Sequence, residues 1–184
     1  DPASNWAAAA EMVREAREKG AVLAVFPELL LSSCSGGALY LQEALLEASL
    51  KALCGLRDAT ASVPAVVVAG VPLRVGDGIF NCAAVICGGR VLGLAAKSWL
   101  SAAGDSASPR QFRAACALGA DRTDLPGQKG VPIGADLIFE AEGIPGFRLF
   151  CEIGDDLLSP IPPSAAASLA GATVLAVPAY SLAA

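Results

Sequence analysis

The 184-residue sequence predicts an α/β layered fold with a mixed sheet, and three observations lead there. Short, continuously apolar runs, AVLAVF (21–26) and AVVVAGVPL (65–73), alternate with helical stretches, the pattern of strands covered by helices. Apolar residues make up 54% of the chain but aromatics only 5%, and alanine is the commonest residue. A core of such small aliphatic side chains suits helices laid closely on a sheet. Finally, Gly88-Gly89 separates two β-rich arms within IFNCAAVICGGRVLGLAAK (79–97), which reads as a hairpin.

Taken in order, residues 5–19 predict a helix capped by Asn5 and ended by Gly20, with Trp6, Ala9, Val13 and Ala16 on one face. The run 21–26 reads as a strand buried on both faces. A second helix over 38–57 turns Leu39, Leu46, Leu50 and Leu53 inward. The strand 65–73 and the hairpin 79–97 follow. Residues 101–132 read as irregular, with a short helix around 111–118; a loop of that length inside a domain is usually functional or mobile. Two strands, 135–143 and 146–154, come next. Pro162 and Pro163 open a helix running to about Ala170, and ATVLAVP (172–178) is a last strand. A domain that opens on a helix and stops soon after a strand reads as part of something longer.

Composition removes several classes of function. A high apolar content with 17% charged residues excludes a disordered tail. Net charge is −5 with no basic cluster, which argues against a nucleic-acid partner. Histidine is absent, so Ser-His-Asp catalysis, Cys-His catalysis and His-ligated zinc are excluded within these residues. The cysteines at 34, 54, 82, 87, 116 and 151 form no C-x-x-C pair, and several sit in apolar stretches. Free thiols in a reducing cytoplasm, and no metal site, are the expectation. The uncharged stretch from Leu157 to Ala184 is broken by four prolines, too short an apolar run to cross a membrane.

Two residues stand where chemistry gathers. Glu28 follows the first strand in VFPELL, at the carboxyl end where α/β folds collect ligands, although a capping glutamate fits the local pattern equally well. Lys97 ends the hairpin in LGLAAKSWL, placed to meet a carboxylate; alone, it reads as a solvated strand end. Cys151 reads as a small core side chain within a strand.

Together these segments carry a resemblance. DPASN, VFPELLL, LQEALLEASLKAL, IFNCAAVICGGRVLGLAAKSWL, CEIGDDLLSPIPPS and LAGATVLA occur in that order. The series resembles the carbon–nitrogen hydrolase (nitrilase-like) superfamily, and within it the glutaminase domain of glutamine-dependent NAD synthetases. The resemblance implies a four-layer α-β-β-α sandwich, here without its first strand and its C-terminal strands and helices. Residues 1–184 would then be a partial glutaminase domain with the synthetase domain absent.

The chemistry implied is amide hydrolysis by a Glu-Lys-Cys set: a thiolate attacks the amide, Glu28 serves as base and acid, and Lys97 stabilises the oxyanion. The family's cysteine stands directly before Glu-Asp and eight residues before the first proline of PPS. Counting back from Pro162 puts Gly154 there, followed by Asp155 and Asp156. Cys151 matches only with an inserted shift of three residues, and an odd shift reverses a strand's face. Glycine thus replaces the nucleophile, with Cys151 or Cys34 left as substitute thiols.

The resemblance further assigns substrate contacts to Asp155 and Ser181. It implies glutamine or a related small amide as ligand, a fused or separate synthetase partner, and a homo-oligomer. It asks for no cofactor here, since ATP, magnesium and deamido-NAD would belong to the synthetase. The competing expectation is a catalytically inactive module for oligomerisation or small-amide binding.

Overall fold

The computed structural model describes residues 1–100 and 111–180, arranged as two facing sheets with helices outside each. Helix α1 (Pro2–Glu18) starts earlier than the sequence suggests. Asp1 is its cap, accepting from the Ala3 amide, and Pro2 takes the first turn, where its missing N–H costs nothing. Asn5 lies inside the helix instead and donates its side-chain amide to the Leu30 carbonyl, 2.8 Å away. Gly20, at φ +91°, releases the chain into β1 (Leu23–Val25).

Among the described residues strand β1 lies at the sheet's edge rather than being buried on both faces. It pairs there in parallel with β2 (Val66–Val75) alone, and Val22 and Val25 are exposed. The second helix is also divided. Gly37–Leu41 forms a 3-10 turn, Gln42 is extended, and α2 runs Glu43–Ala59. That break leaves Leu39 exposed, while Leu46 and Leu53 stay inward. Full burial of a leucine such as Leu53 contributes about 1.5–3 kcal/mol.

Strands β3 (Gly78–Cys87) and β4 (Arg90–Ala96) form the expected hairpin, with Gly88 and Gly89 both at positive φ as its tight turn requires. The long irregular stretch is only partly so. A 3-10 turn at Ala115–Ala117 stands in for the expected short helix, and a second hairpin follows: β5 (Arg122–Leu125) and β6 (Gln128–Gly134) around Pro126-Gly127. The first sheet has the order β1-β2-β3-β4-β6-β5. The second sheet is β7 (Ile138–Glu140), β8 (Arg148–Cys151) and β9 (Val174–Ala176), with α3 (Pro163–Leu169) between its last two strands.

Strand alternation explains the layering. Val67, Ala69, Val71, Phe80, Cys82 and Ala84 face α1 and α2. Their neighbours Val68, Ala83, Val85 and Ala95 face the other way, onto Leu149, Cys151, Ile153 and Ala176 of the second sheet. With α3 packed on β8, the result is helices, sheet, sheet, helix: the four-layer α-β-β-α sandwich. No helix among the described residues is long and apolar enough to cross a membrane.

Candidate functional site

Where the ends of the two sheets meet, three segments converge. The first leaves β1. Pro27 ends the strand, Glu28 follows, and Leu29 adopts φ +55°, a left-handed conformation rare for a leucine. This sharp turn buries Leu29 against Tyr40, Ile79 and Phe112 and directs Glu28 inward, where it is 2% exposed. The turn lies directly on Gly70 of β2: a β-carbon there would stand 2.2 Å from the Leu29 amide nitrogen. Only glycine lets the backbone carrying Glu28 approach so closely.

The second segment is the end of the β3–β4 hairpin. The Lys97 amide donates to the Asn81 carbonyl at 2.9 Å, continuing the ladder past β4. The Lys97 ammonium donates to Glu28 Oε2 at 3.0 Å, and the Asn81 side-chain amide reaches the same oxygen at 3.2 Å. Lys97 is 3% exposed and Asn81 fully buried. Taking both charges out of water costs several kcal/mol per ion, so this pair stands only because it is closely matched and hydrogen-bonded.

The third segment leaves β8. Gly154 begins a 3-10 turn, Gly154–Leu158, at φ +53°. A β-carbon built on it would stand 3.0 Å from both Glu28 Oε2 and Lys97 Nζ, and 3.2 Å from Glu28 Oε1. A side chain at this position would crowd both charged groups, which would have to give by a few tenths of an ångström, and would hold a backbone conformation that favours glycine. Asp156, in the same turn, is 1% exposed and accepts from Ser98, Trp99 and Ile153. Burial pushes its carboxyl above the ordinary carboxylate value, against the pull of those amides and of the Lys97 charge.

Comparison with known proteins places the chain in a family. Residues 1–141 match the carbon–nitrogen hydrolase family model. The chain belongs to the carbon–nitrogen hydrolase family. The chain is 45% identical over 176 residues to a protein of Mycobacterium bovis named glutamine-dependent NAD(+) synthetase, covering 96% of the chain and 26% of that protein. A Mycobacterium leprae protein of the same name is 41% identical over 178 residues, with the same coverage. The chain thus spans about a quarter of the length of these relatives.

Among solved structures, a glutamine-dependent NAD(+) synthetase from Cytophaga hutchinsonii superposes with a TM-score of 0.79 at 21% identity, covering 96% of this chain and 28% of that one. An amidase from Nesterenkonia sp. gives 0.64 at 20% identity, covering 97% of this chain and 59% of that one. At these identities the likeness establishes the fold, the nitrilase-superfamily sandwich.

Within this hydrolase fold the sequence candidates part company. Glu28, Lys97 and Gly154 come together. Cys151 does not: it faces the apolar space between the sheets, and burial pushes its thiol up to about 12. Cys34, half-buried, lies on the loop after Glu28 whose Ser33 carbonyl accepts from the Tyr40 hydroxyl. Asp155 is half-buried in the 3-10 turn beside Gly154. Ser181 lies outside the described residues. All six cysteines are free, and no group of residues among those described could hold a metal ion.

Two site residues escape a reading of the sequence. Asn81 sits within an apolar strand, and its polarity there was the available signal. Asp156 is distinguished from Asp155 only by the direction its side chain takes. A groove of about 910 Å³ opens nearby, lined by Trp99, Phe150, Ile161 and Pro163, yet Glu28, Lys97 and Gly154 do not line it.

Proposed function

We propose that this chain is the glutamine-amide-hydrolysing region of an NAD synthetase lineage, with the covalent step lost at Gly154. The observation that carries the reading is the position of Gly154. Its β-carbon would meet Glu28 and Lys97 together, where a nucleophile would need its base and its cation. In the full reaction Glu28 takes the thiol proton as sulfur attacks the amide carbon, and returns it to the departing ammonia. It then activates the water that hydrolyses the thioester to free acid and thiol, while Lys97 stabilises the oxyanion. Here Glu28 and Lys97 remain to orient an amide, but no sulfur is present to form the thioester. A second reading stands beside the first, a site that binds small amides without turning them over, because Glu28 and Lys97 still present opposite charges at Gly154.

The relatives' names support glutamine as the ligand and a synthetase region, fused or separate, as the consumer of ammonia. ATP, magnesium and deamido-NAD would belong to that region. Free cysteines throughout suit a cytoplasmic setting.

Ammonia release from glutamine tests this. The full chain should release none, and Gly154→Cys should gain turnover. Turnover by the unchanged chain that Cys151→Ala abolishes would overturn the assignment of Gly154. A folded Gly154→Cys variant that stays silent removes the hydrolase reading and leaves the binding one.

A further inference from the structure

The Asp156 carboxylate is unusual for what it joins. One of its bonds is local: Oδ2 accepts from the Ile153 amide at 3.3 Å, directly ahead of Gly154. The other two cross to the first sheet. Oδ2 accepts from the Ser98 amide at 3.1 Å and Oδ1 from the Trp99 amide at 2.6 Å. Ser98 and Trp99 are the two residues that follow Lys97. Lys97 itself is held by Asn81 through its amide and by Ala115 through its carbonyl, both at 2.9 Å. Those anchors fix Lys97 within the first sheet and its flank; they do not fix its distance from the turn on the second.

We propose that Asp156 is the positioning residue of this site, fastening the backbone beyond Lys97 to the turn that carries Gly154 and so setting the Lys97 ammonium against the nucleophile position. The inference rests on the reading of Gly154 given above. A cap for the turn needs only the Ile153 bond. The two bonds to a distant segment, made by a carboxylate 1% exposed, go beyond what capping requires. The raised carboxyl follows from the same burial, and Lys97 is among the charges that act on it. Asp155, its neighbour in sequence, is half-buried and makes none of these three bonds.

The test uses the full chain with Gly154→Cys, following alkylation of the introduced thiol by iodoacetamide against pH, with peptide mass mapping to separate it from the native cysteines. The introduced thiol would meet the Lys97 ammonium and the Glu28 carboxylate at similar distances, so Gly154→Cys sets the reference midpoint, and Lys97→Met should raise it. Adding Asp156→Asn should also raise it and slow alkylation at neutral pH about tenfold if Lys97 is loosened. Loss of the Asp156 charge alone would instead lower it. A general loss of stability would lower the melting temperature but leave the midpoint in place.

A Gly154→Cys midpoint that Lys97→Met leaves unchanged in a folded protein overturns the reading of the site, and this inference with it. A midpoint that rises with Lys97→Met but not with Asp156→Asn in a folded protein overturns the positioning role alone. Should Asp156→Asn not fold, hydrogen exchange in the unmutated chain still decides. The Ser98, Trp99 and Ile153 amides should be protected to the same degree, and fast exchange at Ser98 or Trp99 removes the link.

Discussion

The two sheets contribute unequal halves of the site. From the first come Glu28, Lys97 and Asn81, all at most 3% exposed and joined through one carboxylate oxygen. From the second comes Gly154, half-buried, with no side chain. The difference shows which positions burial constrains and which it leaves free. Losing either partner of the Glu28–Lys97 pair strands a charge in the interior, so the pair persists for folding reasons whether or not it works. A side chain lost at Gly154 strands nothing, and glycine adopts φ +53° at no steric cost. Chemistry can therefore fail on one half while the other keeps its form.

The sharpest way to break this contrast is to strand the charge. Lys97→Met leaves Glu28 buried without its cation and should cost about 3–5 kcal/mol in urea unfolding. Combining it with Glu28→Gln should recover part of that loss; a double variant as costly as the sum of the two would mean the pair is not coupled. Next is Gly70→Ala, whose β-carbon would strike the backbone of Leu29. It should destabilise by about 1–3 kcal/mol or more. An unchanged melting temperature would show that the Glu28 turn is not held against β2.

The smallest effect belongs to the second half. The Asp156 carboxyl lies above its ordinary 3.8, so the native state holds this proton more tightly than the unfolded chain. Its contribution is complete below pH 3.8 and declines as pH rises through the raised value. The parent's stability advantage over Asp156→Asn should shrink with rising pH; an advantage that grows would contradict the raised carboxyl.

Local signals carried much of the architecture. The apolar run at β2, the Gly88-Gly89 turn and the prolines opening α3 each state their element within a few residues. The β5–β6 hairpin escaped because its arms are short and polar, leaving Pro126-Gly127 as its only mark. The exposure of β1 escaped as well: a continuous apolar run reads the same at an edge as at a centre, and only the strand order separates them. At the α1 start, Asp1 outcompeted Asn5 because Pro2 suits the first turn.

For the site, the motifs in the sequence were enough to single out Glu28, Lys97 and Gly154, because spacing along the chain is a one-dimensional property. That Lys97 stands 3.0 Å from Glu28, and that a β-carbon on Gly154 would stand 3.0–3.2 Å from both, was decided by the sandwich, which brings the ends of two sheets to one place. The tertiary structure also set Cys151 and Gly154 apart, since alternation along β8 turns the cysteine into the core between the sheets. And it separated Asp156 from Asp155. Two adjacent aspartates are equivalent in sequence, and only the fold brings the Asp156 side chain to the Ser98 and Trp99 amides.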